Sequence, residues 1–150
     1  MNYTSGIPAA RSVAYIEQKL VDYGASNIVK RYTPEKKLSS IMFQIPRGEQ
    51  LYPVVLPARI AAVEKTLRKA RSSRRHLTTD MEQRLQEQAE RTAWKILADW
   101  VDVQFAMIAL EQAEFLEVFL PFLYDPKRDQ SFFEVIRDGN FKLLGAGSGK

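Results

Sequence analysis

The sequence predicts an α+β fold, with an N-terminal helix, then a three-stranded antiparallel meander, then long C-terminal helices. Three observations lead to this architecture. Apolar residues recur at helical spacing over residues 9–23, three β-rich segments follow, and residues 80–119 contain neither proline nor glycine. A chain of 150 residues can bury one core, so we expect one domain over residues 1–144 and a flexible Gly/Ser tail over residues 145–150.

The first predicted helix spans residues 9–23. Val13, Ile16 and Leu20 recur at three- and four-residue steps, which places them on one face. Gly24 follows them, and glycine commonly ends helices because it adopts a left-handed backbone without strain. The sequence therefore predicts an amphipathic helix that ends at Gly24.

Three β-strands are predicted over residues 27–32, 38–45 and 51–56. A five-residue loop of hairpin length separates the first two, and apolar residues alternate along the second, as in a strand buried on one face. Pro53 lies in the third strand. Because proline has no N–H to donate to a neighbouring strand, we place this strand at the edge of the sheet.

Two further helices are predicted from their starting residues. Pro57 suits the first position of a helix over residues 58–70, where an N–H is not needed. Thr79 and Glu82 have the spacing of a capping box, so a new helix is expected to begin there.

The longest predicted helix covers residues 80–119 and ends before Pro121. It would measure about 60 Å, more than a compact domain of this size allows, so we expect it to break near its middle or to extend against another chain. Residues 94–110 are apolar on most sides, which is typical of a helix that is buried all round or shared with a partner subunit. We predict a homo-oligomer, with a central helix of a monomeric core as the alternative. A short last helix is predicted over residues 131–137.

Positive charge is concentrated in residues 65–75. This segment holds six of the chain's 22 basic residues and no acidic one, which leaves 16 basic against 18 acidic residues elsewhere. The chain is therefore a mildly acidic body with one basic patch, and such a patch indicates an anionic partner.

The basic segment is the main candidate site, because arginine and lysine neutralise phosphates and the planar guanidinium matches phosphate geometry. Nearby aromatic residues of the sheet (Tyr32, Phe43 and Tyr52) would stack on bases if they lay on the same face. We predict contact with phosphates of DNA, RNA or a signalling nucleotide, without a base-reading motif. A solvated helix end, or a patch that pairs with acidic residues of a neighbouring subunit, is the alternative. The candidate residues are Lys65, Arg68, Lys69, Arg71, Arg74, Arg75 and His76.

Aromatic residues are frequent in the long helix and just after it. Such a stripe usually forms a core, and the alternative is an interface with a second subunit or with a partner protein. The candidate interface residues are Trp94, Trp100, Phe105, Phe115 and Phe119.

The sequence indicates no catalytic residue, metal or cofactor, so we do not expect an enzyme. The absence of cysteine excludes disulfides, thiolate metal sites and a cysteine nucleophile. Asp99 and Asp102 lie one helical turn apart, which leaves a carboxylate-metal hydrolase as a third hypothesis, but Lys95 is spaced to pair with Asp99. With no visible signal segment and no apolar run of membrane-spanning length, we expect a cytoplasmic protein without a membrane partner.

Two segments, RTAWKILADWVDVQFAMI at residues 91–108 and LEVFLPFL at residues 116–123, resemble small proteins encoded by tailed bacteriophages and prophages. The early pattern, a helix that ends at Tyr23 and Gly24 before short strands, is similar too. This family provides no catalytic residues to transfer. The resemblance implies expression inside an infected bacterium, where such proteins bind nucleic acid, bind a host protein or counter a defence system.

Overall fold

The computed structural model describes residues 5–70 and 78–145. Helix α1 (Ala9–Tyr23) has the predicted bounds. Gly24 ends it with a left-handed backbone (φ of 109°), and its N–H donates to the carbonyl oxygens of Leu20 and Val21. This conformation is one that glycine adopts without strain, so the sequence signal and the geometry agree.

The sheet is an antiparallel meander of β1 (Asn27–Tyr32), β2 (Leu38–Arg47) and β3 (Gln50–Pro57), in that spatial order. Strand β3 therefore lies at an edge, as Pro53 predicts. The predicted α+β fold class, with its meander, is confirmed.

Helix α2 (Ile60–Ala70) follows the sheet directly. The prediction that Pro57 occupies its first turn is wrong, because Pro57 is the last residue of β3 and pairs with Ser40 across the ladder. The N–H of Ala58 donates to the carbonyl oxygen of Ser39, which holds the strand-to-helix connection against β2.

Helix α3 (Thr79–Ala109) is the longest element, with 31 residues and a length of about 46 Å. Its cap is Thr78, one residue before the predicted Thr79, and the Thr78 hydroxyl accepts a hydrogen bond from the N–H of Met81. The helix does not continue to residue 119. It ends at Ala109 because Glu111 has a positive φ of 59°, which a right-handed helix does not accommodate.

The C-terminal part consists of short elements. Helix α4 (Phe115–Phe119) is followed by a two-stranded ladder of β4 (Tyr124–Asp125) and β5 (Gln130–Ser131), and then by α5 (Phe132–Asp138). Just before β4, Leu123 forms an isolated antiparallel bridge with Val54 of β3. The free edge of the sheet is thus partly covered by this part of the chain.

One core joins α1, α3, α4 and the inner face of the sheet. Strand β2 alternates between buried and less buried side chains, as predicted, and places Ile41, Phe43 and Ile45 in the core. Phe119 of α4 is fully buried and contacts the ring of Phe43 with centroids 6.1 Å apart. The remaining core residues are Val13, Ile16, Leu20, Val54, Leu56, Trp94, Ala98, Val101, Phe105 and Phe115.

Replacement of Phe119 by alanine should lower the free energy of unfolding by about 3–5 kcal/mol, because it leaves a cavity where the ring meets several other aromatic rings. Urea unfolding followed by circular dichroism measures the change. Phe133→Ala is the matched control, since Phe133 is 44% exposed, and it should cost clearly less. Equal destabilisation in the two variants would contradict the placement of Phe119 at the centre of the core.

Candidate functional site

Helix α2 presents two uncompensated lysines to solvent. Its apolar residues Val63 and Leu67 are partly buried, whereas Lys65 and Lys69 are exposed. The two lysines lie four residues apart, so they share one face of the helix. Neither forms an ion pair with any residue in the described parts of the chain. Within the described part of the predicted basic segment, these two ammonium groups are exposed and unpaired. They are therefore the groups that an anion can reach.

Arg68 of the same segment is already paired within the chain. Its two terminal nitrogens bind both carboxylate oxygens of Glu82, at 2.5 and 2.7 Å, and one of them also binds Glu64 at 2.9 Å. The Glu82 carboxylate raises the pKa of Arg68, with Glu64 adding to the effect, and Arg68 in turn lowers the pKa of Glu82. Such a fork-to-fork pair fixes the last turn of α2 to the first turn of α3. Arg68 is therefore engaged within the chain, and its contact with phosphate stays a prediction.

The rest of the predicted site, Arg71, Arg74, Arg75 and His76, lies outside the described residues. Of the aromatic residues predicted to stack on bases, only Tyr32 is well exposed. Phe43 is a core residue, and Tyr52 is partly buried with its ring 6.1 Å from that of Phe115. The sheet therefore does not present these three rings as one stacking platform.

The aromatic residues predicted as an interface are mostly part of the core. Trp94, Phe105, Phe115 and Phe119 are buried within the single chain, which leaves them inaccessible to a partner. Trp100 is only partly buried, and it packs edge-on against Phe119 and Phe122. The core interpretation of the stripe therefore describes four of the five residues.

A different side of α3 is apolar and exposed. Ile96, Val103 and Leu110 recur at seven-residue intervals, with exposed fractions of 48%, 53% and 68%. Trp100 and Met107 lie between them and are half-buried. The steps of four and three residues are those of a coiled-coil seam. Residues 94–110 are apolar on most sides, so periodicity alone could not tell which side would enter the core.

Asp99 and Asp102, the residues of the metal hypothesis, are both engaged by neighbouring side chains. Lys95 binds Asp99 at 2.7 Å, as its spacing predicts. Asp102 accepts a hydrogen bond from the Tyr15 hydroxyl at 2.8 Å and pairs with Lys19 at 3.2 Å, and these contacts lower its pKa. Within residues 5–70 and 78–145, no group of three or more histidine, aspartate or glutamate side chains is placed to hold a metal ion.

No family model, curated protein or solved structure matches this chain. None of the described helices is both long enough and apolar enough to cross a membrane.

The pairing of Arg68 with Glu82 should make a small, pH-dependent contribution to stability. A carboxylate whose pKa is lowered on folding stabilises the fold above its unfolded pKa, and this contribution is lost as the pH falls through its folded value. Glu82→Gln should therefore lower the thermal midpoint at neutral pH, and the difference from the parent protein should disappear under acidic conditions. Because both side chains are well solvated, the effect should be modest.

Thermal unfolding followed by circular dichroism over a series of pH values measures this difference. Glu49→Gln is the control, since Glu49 is exposed and has no ion-pair partner among the described residues. A difference between Glu82→Gln and the parent that stays constant down to low pH would show that the ion pair is not its source.

Proposed function

We propose that this protein is a non-enzymatic binding protein that contacts nucleic-acid phosphates through the lysine face of α2 and the basic residues that follow it. One observation carries the proposal. Lys65 and Lys69 stand free on one helical face, whereas the neighbouring Arg68 is held by acidic partners. Free ammonium groups bind phosphates as point charges and release counterions when they do so.

The position of this face in the sequence gives further support. It leads directly into residues 71–75, which contribute Arg71, Arg74 and Arg75 and no acidic residue. The body outside residues 65–75 has a small excess of acidic residues, so an extended anion would be attracted to one region and not to the whole surface. Contacts of this kind position a phosphate backbone without reading its sequence. A nucleic-acid partner inside a bacterium also agrees with the resemblance to small phage proteins.

Lys65→Gln with Lys69→Gln should weaken binding of labelled single-stranded and duplex DNA. The slope of log affinity against log salt should become shallower by about 0.7 to 0.9 for each phosphate that the double variant no longer neutralises. Fluorescence anisotropy at several salt concentrations measures both quantities. The double variant Lys127→Gln with Lys142→Gln is the control, because it removes the same charge from exposed lysines elsewhere.

The proposal fails if the two double variants bind with equally reduced affinity, since this would make net charge the only determinant. It also fails if Arg71, Arg74 and Arg75 can be changed together to alanine, in addition to the two lysines, without any decrease in binding. Binding that does not depend on salt would equally argue against phosphate contacts.

Self-association is a second candidate function, and the exposed side of α3 favours it. Ile96, Trp100, Val103, Met107 and Leu110 form an apolar seam of coiled-coil spacing over two heptads. A second copy of this chain would offer the same seam, and a two-fold axis makes such a surface complementary to itself. The proposed partner of this side of α3 is therefore another protomer.

Val103→Glu should shift the protein from dimer to monomer, because it places a charge in the middle of an apolar seam. Sedimentation velocity over a range of protein concentrations measures the distribution. Gln83→Glu adds the same charge to α3 outside the seam and should leave the distribution unchanged. A parent protein that stays monomeric at the highest concentration would exclude this role.

A further inference from the structure

A cavity of about 560 Å³ opens beside the start of α2, away from the lysine face. Its floor is the side of the sheet opposite the core, because Ser40 and Val55 alternate with the core residues Ile41 and Leu56. The C-terminal elements form the other wall. Cavities that bind small molecules commonly have volumes of about 300 to 1,000 Å³.

The side chain of Ser40 is the first feature of the cavity that indicates a ligand. Its side chain lines the cavity and is only 7% exposed, yet its hydroxyl makes no hydrogen bond to any described residue. The hydroxyl is not shut off from the cavity, because among the described residues only Ser12 has a fully buried side-chain hydroxyl without a partner. A ligand in the cavity can therefore reach the Ser40 hydroxyl. The adjacent Ser39 differs, since its hydroxyl donates to the carbonyl oxygen of Arg31. Ser40 thus offers the cavity a hydrogen-bonding group that the protein itself does not use.

The charges that line the cavity leave one arginine uncompensated. Arg137 lies 4.0 Å from Glu134 and 3.2 Å from Asp138, so its charge is offset. Glu134 is also engaged, because it accepts a hydrogen bond from the N–H of Ser131 in the capping box of α5. Arg59 has no acidic partner among the described residues. It immediately precedes α2, whose first turn carries no acidic residue, and the positive end of the helix dipole adds to its charge.

The remaining walls are apolar. Phe122 and Phe133 line the cavity together with Pro57 and Pro121. Flat aromatic and proline surfaces of this kind favour a ligand with a flat apolar body over a bare inorganic ion.

We propose that this cavity binds a small organic anion, whose phosphate or carboxylate group contacts Arg59 and the Ser40 hydroxyl and whose aromatic body packs between Phe122 and Phe133. The site is separate from the lysine face of α2 and does not rest on nucleic-acid binding. The guanidinium supplies two parallel donors to such a group, and the serine hydroxyl supplies a third.

The proposal is tested by titration of the ¹⁵N-labelled full chain with phenyl phosphate, benzoate, phenol and inorganic phosphate, each followed by amide chemical shifts. Phenyl phosphate or benzoate should produce saturable shifts at Ser40, Ala58 and Arg59. The probe that binds more tightly shows whether the cavity prefers a phosphate or a carboxylate group. Phenol lacks the anionic group and inorganic phosphate lacks the aromatic ring, so each should bind at least tenfold more weakly.

Ser40→Ala and Arg59→Gln should each weaken the tighter probe by at least fivefold while the amide spectrum stays that of a folded protein. Lys65→Gln, at a residue that does not line the cavity, should leave the affinity for this probe unchanged, which separates this site from the proposed nucleic-acid surface. The proposal is overturned if neither aromatic anion gives saturable shifts at this cavity. It is equally overturned if inorganic phosphate binds as tightly as the aromatic probes, or if both variants bind as the parent does.

Discussion

One core that α3 shares with the inner face of the sheet organises this molecule. Trp94, Val101 and Phe105 enter this core from α3, and Ile41 and Phe43 enter it from β2. Full burial of each such side chain contributes about 1.5–3 kcal/mol, which is large beside the net stability of a domain. Helices α1 and α2 both pack against α3, and α4 adds Phe119 to the same core. The positions of the remaining helices follow from this packing.

The arrangement leaves the outer face of α2 available for the proposed binding role. No residue of α2 is fully buried, so the helix is held by a partly buried apolar side and by the Arg68 pair with Glu82 at the start of α3. Its outer face makes no contribution to the core and is free to carry Lys65 and Lys69. The two proposed anion-binding regions are therefore distinct. The lysine face belongs to α2 itself, whereas the cavity is lined by Arg59, which precedes α2, and by no residue of the helix.

The sequence was most informative where a local pattern had one physical solution. Gly24 ended α1, the alternation around Phe43 gave the buried face of β2, and Pro53 placed β3 at an edge. Contacts between residues far apart in the sequence could not be predicted from local patterns. The role of Arg68 depends on Glu82, which is fourteen residues away, and the end of α3 depends on the backbone of Glu111, where no proline or glycine marks a stop.

The candidate site was predictable only in part for the same reason. Clustered basic residues are visible in any sequence, so Lys65 and Lys69 could be named as candidates directly. Arg59 stands alone in the sequence, and its place at the cavity, beside residues of β2 and of the C-terminal elements, is visible only in the fold. The exposed side of α3 was likewise hidden, because Ile96 and Val101 are equally apolar and only the fold decides which one is buried.

Amide chemical-shift mapping with a short single-stranded oligonucleotide tests the central claim, that α2 carries the anion-binding face, most directly. If the claim holds, the largest shifts occur at Lys65 and Lys69 and over residues 71–77, and they decrease as salt is added. Shifts concentrated along the exposed side of α3 at Ile96, Val103 and Leu110, or no shifts at low salt, would contradict it.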